Sequence, residues 1–103
     1  MQVLLLTRKE IEPLLSMKEV MQAVDVAFKE KGLGHVQMPP KMFLSFKKYN
    51  GDLRVMTSYL ERLETSAVKA VNSHPDNPSK YGYPTVMAII ILFDPKNGAP
   101  LAI

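Results

Sequence analysis

Apolar and polar positions change their period along the chain, and each change marks a change of element. Val3-Leu4-Leu5-Leu6 is a short apolar run of the kind a strand explains. Thr7 followed by Glu10 is a capping box and predicts a short helix running toward Leu15. Ser16 and Glu19 repeat the signature, and Val20, Val24, Ala27 and Phe28, with Met17 and the stem of Lys31, then recur at helical spacing until Gly32 and Gly34. That stripe carries no heptad, so it predicts a second helix whose apolar face packs on a sheet instead of forming a coiled-coil seam.

Met38-Pro39-Pro40 bars a helix, and from Lys41 the period becomes two: Met42, Leu44 and Phe46 point one way, Lys41, Phe43 and Ser45 the other. Asn50-Gly51 is a tight-turn dipeptide, after which Leu53, Val55 and Tyr59 alternate with Arg54, Met56 and Ser58, so two strands form a hairpin. Ala67 to Asn72 is a third strand. Ser73 to Gly82 is rich in proline and turn formers and predicts an ordered loop long enough to carry function. Thr85 to Phe93 lacks alternation, which predicts a strand covered on both faces at the centre of the sheet. Asp94 to Gly98 supplies a turn, and Leu101-Ala102-Ile103 begins a further apolar strand at the point where the chain stops. Complete domains cap or charge such strand ends, so the pattern predicts a partial domain. The elements sum to an α+β fold in which an N-terminal strand and two helices pack on a mixed or antiparallel sheet of about five or six strands.

Composition narrows the function classes. With 103 residues there is room for one core, and 47% hydrophobic with 22% charged residues is ordinary for a globular domain. The absence of cysteine excludes disulfides, thiolate metal sites and a cysteine nucleophile, and is compatible with the cytosol. The net charge of +3 is spread over thirteen basic and ten acidic residues. Its densest basic spot, Lys47-Lys48, reads as a solvated turn, so no nucleic-acid partner is expected. The apolar start is too short for a signal peptide or a spanning helix, and no membrane partner is expected either.

Two cations draw attention. Lys69 interrupts Ala67-Val68-Lys69-Ala70-Val71 and shares a face with Ala67 and Val71. Either that face is solvated and Lys69 guards an edge strand, or partial desolvation lowers its pKa and makes it an acid/base or a carboxylate anchor. Arg54, between Leu53 and Val55, could grip a carboxylate with two parallel hydrogen bonds, although a solvated strand arginine is the commoner case. His74 lies in the polar loop, and His35 is the only other histidine. Their spacing supplies no metal site, which leaves His74 as a loop hydrogen-bonder or a pocket wall. Gly32 and Gly34 follow a helix, and no phosphate-cradling glycine pattern occurs.

At GDLRVM (51–56), VKAVNSHPDNP (68–78) and YPTVMAIIILFDPKNGAPLAI (83–103) the order and spacing resemble the ornithine cyclodeaminase/mu-crystallin family, and LLSMKEVMQAVDVAFKEKGLG (14–34) with QMPPK (37–41) extends the resemblance over essentially the whole chain. The family contains cyclodeaminases, ketimine reductases and archaeal-type alanine dehydrogenases, and the segment is most similar to the last of these. The resemblance implies that Arg54 and Lys69 bind the carboxylate of a small amino acid or 2-oxo acid, that Lys69 is also the catalytic acid/base, and that Thr85 lines the same pocket. It implies hydride transfer between the substrate α carbon and NAD or NADP by way of an imine. It further implies a cytoplasmic homodimer whose N-terminal sheets join into a closed barrel.

Relatives continue into a Rossmann domain with a glycine fingerprint that these residues lack. Residues 1–103 are therefore expected to be a partial substrate-binding and dimerisation domain that binds no cofactor by itself. Two readings of function follow. One is the amino-acid- or keto-acid-binding part of an NAD(P)-dependent oxidoreductase. The other is a non-enzymatic dimerisation or small-acid-binding module, so whether this chain is itself an enzyme stays open.

Overall fold

The alternating segments become the strands of a single six-stranded sheet. Strands β1 (Val36–Gln37) and β2 (Met42–Phe46) both pair antiparallel with β3 (Gly51–Leu60), β1 opposite Leu60 and Tyr59, β2 opposite Gly51 to Val55. Pro39-Pro40, which have no amide donors, split what would otherwise be one edge strand. Strands β4 (Thr65–Ser73), β5 (Val86–Phe93) and β6 (Pro100–Ala102) follow antiparallel in chain order. The computed structural model describes residues 1–103.

The N-terminal segment adds to the β6 side as a single parallel bridge, Leu4 to Ala102, and not as a full strand. Its amides at Leu4 and Leu6 donate to the carbonyls of Leu101 and Ile103 at 3.0 and 2.8 Å. Helix α1 (Arg8–Ile11) is closed by the Thr7–Glu10 capping box in both directions. The Thr7 amide and hydroxyl both donate to the Glu10 carboxylate, the amide at 2.8 Å, and hold that carboxyl below its usual range. A 3₁₀ turn (Glu12–Leu14) leads to helix α2 (Met17–Gly32), where the Ser16 hydroxyl accepts from the Glu19 amide at 3.2 Å as a one-sided cap. The expected α+β fold is therefore present.

Four further expectations are corrected. The apolar stripe of α2 approaches the sheet only in its C-terminal half, where Val24, Ala27 and Phe28 line a cleft with Val36 and Leu60, and Val20, Val24 and Phe28 stay exposed. Asn50-Gly51 is not a two-residue turn. Lys47–Tyr49 form a 3₁₀ turn, Asn50 closes it in the left-handed region at φ 48°, and Gly51 already pairs with Phe46. The loop after β4 contains one helical turn, α3 (Asn77–Lys80), begun by Pro78 near its N-terminus. The central strand is β4 and not β5, and β5 is covered on neither face: Ile89 and Ile90, which point to opposite sides, are 58% and 52% exposed. The lack of alternation in β5 records two apolar faces, but the layers that would cover them are not supplied by these residues.

That openness is general. No apolar residue is buried, and only Glu30 and Asn77 are. Glu30 anchors the end of α2 to Arg62 at 3.3 Å. The chain exposes 8252 Å², against about 5,800 Å² for a compact monomer of its mass, and its radius of gyration is 15.9 Å against roughly 13 Å.

Gly51 is required by a close approach. A Cβ there would fall onto the ring of His74, which stacks on Phe46 with centroids 5.9 Å apart. Gly51→Ala is expected to push the ring off Phe46 and cost about 1–3 kcal/mol. A lower thermal midpoint together with a shifted His74 ring resonance would show it, and an unchanged midpoint would contradict the contact.

Candidate functional site

Pairing register places the two candidate cations on one face. Arg54 of β3 stands opposite Val71 and Met56 stands opposite Lys69, so Lys69 lies one pair further along on the same side of the sheet. Such diagonal neighbours are about 7–8 Å apart at the backbone, a span that a small acid bridges when both side chains lean toward it. Ile90 of β5 continues this face beside Lys69.

A cleft of about 590 Å³ opens at Lys69, walled by Met38, Pro39, Met56, Ser58 and Ile90. A second, of about 360 Å³, lies along Phe43, Ser45, Asp52 and Ser73. Arg54 stands between the two on β3. Lys69 is exposed and has no ion-pair partner, so the apolar setting considered from its neighbours is not formed by this chain. Arg54 is paired: its Nε and Nη2 donate to the two carboxylate oxygens of Asp52 at 3.1 and 3.0 Å, and its guanidinium carbon lies 5.6 Å from the Phe43 ring centre. Nothing in the sequence reading singled out Asp52. The available signal was the opposite charge two positions before Arg54, a spacing that puts both side chains on one face of a strand.

Thr85 stands apart. It immediately precedes β5, its carbonyl accepts from the His74 amide at 2.8 Å, and it is out of phase with Val86, which belongs to the Arg54 face opposite Ser73. The structure puts Arg54 and Lys69 on one face of adjacent strands, with only Lys69 of the two lining the cleft, and gives Thr85 no bond to either. His74 lies on the other face, where with Tyr49, Tyr81 and Tyr83 it lines a cleft of about 430 Å³ and so serves as a pocket wall. No group of three or more His, Asp and Glu side chains converges as metal ligands would, and no helix is long and apolar enough to cross a membrane.

The arrangement offers a carboxylate two things: the fork of an arginine and a free ammonium that donates hydrogen bonds and exchanges protons. It offers a dinucleotide little. No strand here runs through a glycine-rich turn into a helix N-terminus, and the residues present do not make a pyrophosphate cradle.

Known proteins with this architecture place the site in context. Alanine dehydrogenase of Archaeoglobus fulgidus is 52% identical over 103 residues, which is all of this chain and 30% of that protein. The structure of an archaeal alanine dehydrogenase dimer with bound NAD superposes with a TM-score of 0.92 at 51% identity, over 99% of this chain and 30% of that one. The Δ1-pyrroline-2-carboxylate reductase of Thermococcus litoralis, solved with NADH and L-proline, gives a TM-score of 0.92 at 47% identity, over 97% of this chain and 31% of that one. The chain thus spans about three tenths of the relatives it matches. The family profile matches residues 1–103, and the chain belongs to the ornithine cyclodeaminase/mu-crystallin family.

Proposed function

We propose that residues 1–103 are the substrate-binding and dimerisation part of an NAD(P)-dependent oxidoreductase acting on a small amino acid or 2-oxo acid. The observation that carries this is Arg54 and Lys69 on one face of adjacent strands, beside a cleft. Arg54 binds the carboxylate, and Lys69 holds its other oxygen or the neighbouring carbonyl and moves a proton to or from the α-substituent. Thr85, out of phase with the Arg54 face just before the start of β5, is left outside the carboxylate contacts in this reading. The nicotinamide would supply hydride chemistry when bound, and these 103 residues contain no glycine-rich strand-to-helix turn to cradle its pyrophosphate.

A second copy of the chain covers the face opposite the site. Leu44, Val55, Val68, Met87, Ile89 and Ile91 share that face by register, and no helix packs across it. The chain's excess exposure of roughly 2,400 Å² is in the range that obligate subunit interfaces bury. This openness also supports the reading of the chain as a dimerisation module that need not turn over substrate.

Titrating the chain with pyruvate, alanine and ornithine by NMR and calorimetry separates the two. The expected result is saturable shifts at Arg54 and Lys69 for at least one acid. Arg54→Met should weaken that binding at least tenfold, as loss of a charge-assisted fork does. No binding by a chain that light scattering shows to be a stable dimer would leave assembly as its role.

A further inference from the structure

The guanidinium of Arg54 is held before any ligand arrives. Asp52, two positions earlier on the same face of β3, takes Nε and Nη2 through parallel bonds of 3.1 and 3.0 Å. Phe43, the residue opposite Arg54 on β2, faces the guanidinium with its ring centre 5.6 Å from Cζ. The Asp52 side chain is 19% exposed and that of Arg54 40%, so the acid is the sunken anchor and the arginine the presented group.

A guanidinium has five N–H bonds, and this pairing consumes the Nε–H and one on Nη2. What remains for an incoming carboxylate is the end-on edge formed by Nη1 and the second Nη2 hydrogen. Without Asp52 the side-on edge would also be open, and the plane of the group would rotate freely about its long stem. The pairing also balances charge. Arg54 and Asp52 cancel, so the excess positive charge of this face sits on Lys69 and Lys41, which line one cleft and have no ion-pair partner, and an anion is drawn from Arg54 toward that cleft.

We propose that Asp52 is a positioning residue: with Phe43 as a backstop, it turns Arg54 so that a bound carboxylate engages one edge only and its α carbon is presented to Lys69. The inference rests on the carboxylate site proposed above. It predicts a division between affinity and orientation. Removing Asp52 opens a second edge and raises the local charge, so binding of a simple carboxylate tightens a few-fold while its productive orientation is lost.

The test begins on the whole 103-residue chain without ligand. Solvent exchange of the Arg54 Nε–H, followed by nitrogen-resolved NMR, is expected to be slow in the wild type and at least tenfold faster in Asp52→Asn. Asp52→Glu, which keeps the charge, should restore part of the protection. Pyruvate is then added. The wild type should show nuclear Overhauser contacts from the pyruvate methyl to the Lys69 side chain, whereas Asp52→Asn should bind pyruvate as tightly or up to several-fold more tightly and lose those contacts. Weakened pyruvate binding in Asp52→Asn, or unchanged exchange and unchanged contacts, would overturn the positioning role. If Arg54→Met leaves pyruvate binding intact, or the wild type binds none, the carboxylate site itself fails and this inference falls with it. If Arg54→Met abolishes binding while Asp52→Asn behaves as wild type, only the positioning role fails. Should Asp52→Asn not fold, the comparison of Asp52→Glu with Phe43→Leu by the same exchange measurement decides, since a positioning role requires intermediate protection in both.

Discussion

Lys69→Ala is expected to lower turnover about 10²–10⁴-fold, the range that loss of a positioned acid/base produces. The enzyme to measure is a chimera in which residues 1–103 replace the matching segment of Archaeoglobus fulgidus alanine dehydrogenase, with which they align end to end at 52% identity. Two roles must be separated, since Lys69 both attracts the carboxylate and moves protons. Lys69→Arg does this. The guanidinium keeps the positive charge and the hydrogen-bond donors, but it does not give up its proton under working conditions. Substrate binding should therefore survive in Lys69→Arg within a few-fold while turnover falls nearly as far as in Lys69→Ala. Retention of wild-type turnover in Lys69→Ala would remove the acid/base assignment, and equal loss of affinity in both variants with turnover intact at saturation would reduce Lys69 to an anchor.

The elements of the fold were legible wherever one local rule decided them. The Thr7–Glu10 box and the Ser16 cap start their helices where the side chains say they should, because capping is settled within four residues. The alternation around Arg54 placed it correctly on β3, and the alternation around Lys69 placed that residue on β4. What the residues did not show was the register between these strands, and it is register that puts the two cations on one face. Neither residue alone distinguished a site from a solvated charge, and in the structure Lys69 is indeed exposed. Resemblance to a family, now supported along the full chain, is what singles the pair out. Asp52 and the Gly51–His74 contact went unread for the same reason: both depend on what a side chain meets across the sheet. The expectation for β5 failed in a different way. Its sequence describes two apolar faces, and nothing within these residues covers either of them.

Those uncovered faces make the second large prediction. Ile89 is 58% exposed in the single chain, on the face opposite Arg54 and Lys69, with the exposed Met87 two residues away on the same side. If solvent were its normal environment, Ile89→Asp would be close to neutral, as surface substitutions usually are. Under the proposed dimer it is not. A two-fold interface contains each position twice, so the substitution buries two carboxylates in an apolar layer with no cation opposite, at a cost of several kcal/mol for each unless they neutralise. Ile89→Asp should therefore halve the particle mass measured by light scattering at micromolar concentration and lower the thermal midpoint in a concentration-dependent way. The exposed, sheet-distant change Lys9→Glu should do neither. The isolated fold is expected to tolerate Ile89→Asp, because nothing in the chain packs against that side chain from across the face. Retained cooperative unfolding by a monomeric variant separates loss of assembly from loss of folding. A variant that remains dimeric with an unchanged midpoint would show that the apolar face is covered by something other than a second copy. The excess exposed surface would then have to be accounted for by the length the relatives carry beyond this segment.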